Sequence, residues 1–242
     1  MPDGSTLKEF QRKILRASVY NGATVIVDAP TGWGKTIPCM FLPFLMASLK
    51  MPTGTPPAAM LKCASDRYCF VIIISPLKGL IANMIEVYRD TYKISVMHLE
   101  GKDKLLERIM EEVQQPGSTT RVFILCPESV SDELLHALYY SSTQAAATFV
   151  RVHCWGVIHD EAHDIACLGD DFRTAFKDVI QAEAFSIIRL MLLSGTWTSP
   201  VVDKLKGLLS HRKDFNFDAA VISVDPNRAN LYYALQSTVI II

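Results

Sequence analysis

The sequence predicts an α/β fold: a three-layer arrangement in which a parallel sheet carries helices on both faces. Three observations point to it. Short, β-branched apolar runs recur at 23–28, 70–75, 94–99, 121–126, 155–159, 189–194 and 219–224. Stretches with helical spacing lie between most of them, at 78–92, 102–114, 131–140, 172–184 and 201–210. The runs are continuously apolar rather than alternating, as expected of strands buried on both faces. In such a sheet the strand C-termini gather along one edge, where ligands bind.

The first run, Ala23-Thr24-Val25-Ile26-Val27, reads as a buried strand. It leads into Ala29-Pro30-Thr31-Gly32-Trp33-Gly34-Lys35-Thr36, and the apolar stretch from Ile37 then reads as a buried helix. Strand, glycine-rich turn, Gly-Lys-Thr and helix form the layout of a phosphate-binding loop. Glycines admit backbone N–H groups close to phosphate oxygens, and the helix N-terminus adds partial positive charge. Lys35 in this setting reaches β- and γ-phosphates, and the Thr36 hydroxyl holds Mg²⁺. Ala29 stands where the common form of the motif starts with Gly.

Further along, Met51 to Asp66 contains Pro52, Gly54, Pro56 and Pro57 and reads as a surface loop. Ser141 to Thr148, small and polar, reads as a second loop or a frayed helix end. The run Trp155-Gly156-Val157-Ile158-His159 reads as a strand that ends in Asp160-Glu161-Ala162-His163. An Asp at a strand end helps hold Mg²⁺ in nucleotide hydrolases. A following Glu orients or deprotonates water. His159, inside the strand, reads as a core histidine.

At 242 residues, half of them apolar, the chain can build one α/β domain or two small ones. The formal net charge of −1 excludes a bulk electrostatic attraction to nucleic acid, so any such contact is local. The six cysteines include no C-x-x-C pair and sit mostly in apolar runs, which suits buried thiols in a reducing compartment. Residues 1–20 do not read as a signal peptide, and Ile37 to Leu49, with Pro38 and Pro43, is too short to span a bilayer. These features suggest a soluble intracellular protein with no membrane partner. The run from Ser237 to Ile242 reads as a truncated end or as the fragment of a longer architecture.

The order of the motifs resembles a superfamily 2 helicase, and most closely its RecQ-like branch. Ala29 to Thr36 matches the family form A-x-T-G-x-G-K-T, and Asp160 to His163 matches the D-E-A-H box. Leu7-Lys8-Glu9-Phe10-Gln11 is similar to the element whose Gln reads the adenine edge; taken alone, Gln11 fits an exposed helix position. Ser75-Pro76-Leu77-Lys78 and Cys126-Pro127-Glu128 resemble motifs that contact the nucleic-acid backbone. Ser194-Gly195-Thr196 resembles the coupling motif, usually Ser/Thr-Ala-Thr, with Gly195 giving a looser backbone. Asp171-Phe172-Arg173 resembles the end of the RecQ aromatic-rich loop, in which Leu168 replaces a Trp. Asn227-Arg228-Ala229-Asn230-Leu231-Tyr232 resembles the segment leading out of the first RecA-like lobe.

The resemblance implies a RecA-like ATP-binding lobe over 1–235, with 236–242 as a truncated tail or the start of a missing second lobe. It implies ATP and Mg²⁺ as cofactors, with Gln11, Thr31, Gly32, Trp33, Gly34, Lys35 and Thr36 around the nucleotide. Thr36 and Asp160 are then the metal ligands, and Lys35, Glu161 and His163 the catalytic residues. Lys78, Pro127, Glu128, Ser129 and Arg173 face single-stranded or forked DNA. The implied activity is 3′-to-5′ DNA unwinding in DNA repair and recombination, nuclear in a eukaryote and otherwise cytoplasmic. A catalytically incomplete nucleotide- and DNA-binding module is the alternative.

Overall fold

The computed structural model describes residues 6–20, 24–48, 69–139, 148–150, 153–164, 189–210, 212 and 220–225. Seven strands form one sheet: β1 (Thr24–Asp28), β2 (Phe70–Ile74), β3 (Val96–Leu99), β4 (Val122–Leu125), β5 (Cys154–His159), β6 (Arg189–Ser194) and β7 (Val221–Ser223). Their spatial order is β3-β4-β2-β5-β6-β1-β7, and every pairing is parallel. Six of the seven apolar runs contain one of these strands, and β5 starts one residue before the run 155–159. Among the described residues, the helices that accompany them include α1 (Glu9–Tyr20), α2 (Ile37–Ser48), α3 (Lys78–Glu86), α4 (Leu105–Gln114), α5 (Asp132–Tyr139) and α6 (Ser199–Leu208). The helical stretch expected at 172–184 and the loop at Met51–Asp66 lie outside the described residues.

The lack of polar alternation in the strands has a direct cause. Along β2, Phe70, Ile72 and Ile74 enter one core with Leu105, Ile109 and Leu134 of α4 and α5. Val71 and Ile73 enter the other, with Ile14, Met40 and Ile81 of α1, α2 and α3. Both faces are thus covered, and all residues of β2, β4, β5 and β6 are buried. The edge strands β3 and β7 are partly exposed. Helix α2 is apolar almost all round, and Cys39, Met40 and Leu42 are fully buried despite Pro43 within it. The four cysteines described, Cys39, Cys69, Cys126 and Cys154, are buried. His159 is fully buried, as its place in β5 suggested.

Helix α1 was not among the stretches singled out by helical spacing. Its buried stripe is Phe10, Ile14, Leu15 and Val19, while Arg12, Lys13 and Arg16 are exposed. Helix α3 runs directly into a π-helical turn, Val87–Thr91. No described helix is long and apolar enough to cross a membrane.

Candidate active site

Strand β1 delivers the chain to the sheet edge, where the Ala29 amide donates to the Ser194 carbonyl of β6 at 3.0 Å. The loop then turns through Gly32 at φ 82° and Gly34 at φ 74°, a region that favours glycine. A Cβ on Gly34 would fall 2.8 Å from Gln11 Nε2 and 2.9 Å from Ile37 Cδ1. Helix α2 begins directly after the loop, so its N-terminal dipole faces the same space.

Gln11 comes from the first turn of α1 and is buried, at 3 % exposure. The exposed position that its sequence neighbourhood suggested is therefore not what the fold gives it. Its Oε1 accepts from the Lys8 amide at 3.0 Å and its Nε2 donates to the Gly34 carbonyl at 3.1 Å. Beside it, Trp33 meets Phe10 edge-to-face at 6.3 Å, and Lys8 Nζ lies 5.9 Å over the Trp33 ring. Thr31 and Gly32 form the exposed tip of the loop.

Strand β5 ends at the same edge, separated from β1 only by β6. The Asp160 amide donates to the Ile74 carbonyl at 2.9 Å, which fixes the Asp backbone between β2 and β5. Its carboxylate is buried, and Oδ1 has no hydrogen-bond partner. Burial pushes this carboxyl up to about 6; the Lys35 ammonium opposes the shift, and the Glu161 carboxylate adds to it. Glu161 has φ 51°, a left-handed backbone that costs a non-glycine residue on the order of 1–3 kcal/mol.

That backbone places Glu161 between two partners. Its Oε1 lies 3.0 Å from Lys35 Nζ, and its Oε2 lies 3.3 Å from His163 Nδ1. The same His163 nitrogen is 2.9 Å from Ser194 Oγ, and Ser194 Oγ accepts from the Thr196 amide at 3.0 Å. A continuous polar path therefore runs Lys35–Glu161–His163–Ser194–Thr196, from the phosphate loop across the ends of β5 and β6. Lys35 is itself buried, at 7 % exposure, so removing Glu161 would leave an uncompensated ammonium in the fold.

The residues present fit a nucleotide phosphate with a hard divalent cation. Asp160 offers an unpartnered, buried carboxylate oxygen, and Thr36 a hydroxyl; oxygen donors of this kind suit Mg²⁺. Among the described residues no group of three or more His, Cys, Asp and Glu could hold a metal. A cation bound at Asp160 and Thr36 would take further ligands from phosphate and water, as Mg²⁺ commonly does.

The segments expected to meet nucleic acid emerge from neighbouring strands. Lys78 is exposed at the start of α3, after β2, and Leu77 before it is 47 % exposed. Pro127–Ser129 forms a 3₁₀ turn after β4, with Pro127 buried, Glu128 exposed and Ser129 half-buried. Since β2 and β4 pair, both segments lie along one stretch of the sheet edge. Arg173 lies outside the described residues. So do Leu168 and Asn227 to Tyr232.

The structure adds two features. Gly195 is a steric requirement: a Cβ there would lie 2.9 Å from the Ala29 carbonyl oxygen and 3.2 Å from Pro30 Cα. The loosened backbone expected from its sequence is instead a close contact with the phosphate loop. Beside it, a cleft of about 290 Å³ is lined by Asp28, Pro30, Thr196, Trp197 and Thr198 among others. Trp197 Nε1 donates to the Val27 carbonyl at 3.0 Å, and burial pushes the Asp28 carboxyl upward.

A family model described as DEAD/DEAH box helicase matches residues 8–205. No curated protein matches the chain.

Proposed function

We infer the function from the family, since the chain belongs to the DEAD/DEAH box helicases and carries a helicase-type ATP-binding module of RecA-like architecture. It is the first lobe of a RecQ-like enzyme that couples ATP hydrolysis to 3′-to-5′ separation of DNA strands. The observation that carries the ATP-hydrolysing part is the path Lys35–Glu161–His163–Ser194, which links the phosphate loop to two further strand ends. The RecQ-like part is supported by Asp171-Phe172-Arg173 and Asn227 to Tyr232 in the sequence.

Each residue has a task set by its position. Gln11 presents its remaining amide capacity to the adenine edge while bracing Gly34. Lys35 exchanges its Glu161 partner for the β- and γ-phosphates, and this exchange frees the Glu161 carboxylate. Glu161 then orients the attacking water and draws its proton. His163 holds the other Glu161 oxygen and passes its position to Ser194. Thr36 and Asp160 would hold Mg²⁺, which would supply neutralisation of phosphate charge. Lys78 and Ser129 contact strand phosphates, which positions DNA without reading its sequence.

A second RecA-like lobe is the proposed partner, supplying an arginine to the transferring phosphate. Arginine fingers are worth roughly 10³ to 10⁵ in rate. Steady-state ATP hydrolysis by the 242-residue chain, with single-stranded DNA, single-stranded RNA or neither, tests this reading. We expect slow turnover that DNA raises more than RNA does and that Glu161→Gln abolishes. Turnover that survives Glu161→Gln removes Glu161 from the chemistry, and equal stimulation by RNA removes the DNA assignment.

A further inference from the structure

We propose that Tyr88 is a positioning residue of the ATP–Mg²⁺ site, fixing the Thr36 peptide from the π-helical turn that ends α3. The inference rests on the reading of Thr36 as a metal-holding residue. The Tyr88 hydroxyl donates to the Thr36 carbonyl at 2.9 Å, and the Cys39 amide donates to the same oxygen at 3.1 Å. A carbonyl held by two donors fixes its peptide plane. That plane is the Thr36–Ile37 link, so the backbone from which the Thr36 side chain projects is anchored, and χ1 alone is left to aim the hydroxyl.

The side chain is placed for this contact by an irregular backbone. Tyr88 lies in the π turn Val87–Thr91, where the Tyr92 amide reaches back to the Val87 carbonyl at 3.3 Å. Such turns are uncommon and occur frequently at functional sites. The turn closes through the Ile94 amide on the Tyr88 carbonyl at 2.9 Å, with Lys93 at φ 56°. A second tether comes from Tyr92, whose ring meets Phe41 of α2 edge-to-face at 5.8 Å. The turn thus holds the residue just before α2 and, about one helical turn later, Phe41 within it.

Packing alone does not explain the hydroxyl. Tyr88 is 1 % exposed, and phenylalanine would fill the same apolar volume. A buried tyrosine hydroxyl needs a partner, and here that partner is the backbone of the phosphate loop.

The test compares wild type with Tyr88→Phe and with Ser18→Ala, which deletes a comparable buried bond, Ser18 Oγ to the Ile14 carbonyl at 2.7 Å. The dissociation constant of a fluorescent ATP analogue is measured with Mg²⁺ and again with EDTA, alongside thermal unfolding. Tyr88→Phe should weaken binding about three- to tenfold with Mg²⁺ and change it less than about twofold in EDTA. Ser18→Ala should lower the unfolding temperature and leave both constants alone. Equal weakening with and without Mg²⁺, or none, overturns the inference by reducing Tyr88 to a structural role. If Tyr88→Phe does not fold, Phe41→Leu loosens the second tether and should show the same Mg²⁺-selective loss; an unchanged Mg²⁺ response there overturns the inference. Wild type binding equally with Mg²⁺ and EDTA sinks the metal-site reading itself, and that result is separate from any effect of Tyr88→Phe.

Discussion

Gly195→Ala is the substitution for which sequence resemblance and structure disagree most sharply. Related coupling motifs carry Ala at this place, so sequence alone suggests a harmless or stabilising change. In the fold, the new Cβ would lie 2.9 Å from the Ala29 oxygen, 3.2 Å from Pro30 Cα and 3.5 Å from the Thr31 nitrogen. All three are backbone atoms, and none is the free end of a side chain. The Ala29 amide is also bonded to Ser194, so the loop cannot retreat without straining the β1–β6 junction. Overpacking of this kind costs about 1–3 kcal/mol. Gly195 is not at positive φ, so Ala recovers about 0.4–1 kcal/mol by restricting the unfolded chain. The balance is a loss of about 1–2 kcal/mol, or about 2–8 °C in a chain of this size. The displaced atoms begin the phosphate loop, so ATP affinity should fall as well. Gly207→Ala is the matched control: nothing lies within 4 Å of its Cβ, and α6 should gain about 0.5–1 kcal/mol. Urea unfolding followed by circular dichroism, with an ATP-analogue titration, reads both effects. Gly195→Ala as stable as wild type, with unchanged affinity, would refute the steric argument.

The Asp160 carboxyl is raised from 3.8 to about 6, so the folded state holds its proton more tightly than the unfolded chain. The stability it contributes is full below pH 3.8 and is lost as pH rises through about 6. Between about pH 5 and about pH 7.5, wild type should lose about 1 kcal/mol more than Asp160→Asn in urea unfolding; parallel profiles contradict the shift. Gln11→Ala should abolish a preference for ATP over GTP in competition titrations, and GTP competing equally against wild type shows that Gln11 does not read the base. DNA binding should be weak, with a shallow log–log salt slope that Lys78→Ala reduces by about 0.7. An unchanged slope removes Lys78 from the phosphate contacts.

The central strands were legible because burial on both faces leaves a run few polar positions, while the edge strands β3 and β7 are partly exposed. The phosphate loop and Asp160-Glu161 were legible because each follows such a run and lands on the sheet edge. Helix α1 is harder to read: its stripe of Phe10, Ile14, Leu15 and Val19 is interleaved with charges. Gln11 itself looks exposed by type, yet Lys8 and Gly34 satisfy its amide, which is why it can be buried. Contacts between distant residues left no local trace. The Lys35–Glu161 pair spans 126 positions, and the Gly195 contact depends on where β6 meets β1. Tyr88 reaches Thr36 only because α3 ends in a π turn, and no apolar spacing in 78–92 reports that turn.

The central claim is that the glycine-rich loop after β1 holds ATP through Lys35. Titration of a fluorescent ATP analogue with Mg²⁺ against wild type and Lys35→Ala tests it most directly. Lys35 is the buried cation at the start of α2, and its charge-assisted contacts are worth about 1.5–3 kcal/mol each. Lys35→Ala should bind about tenfold more weakly or worse, with the circular dichroism spectrum unchanged. Equal affinity in the two proteins would contradict the claim.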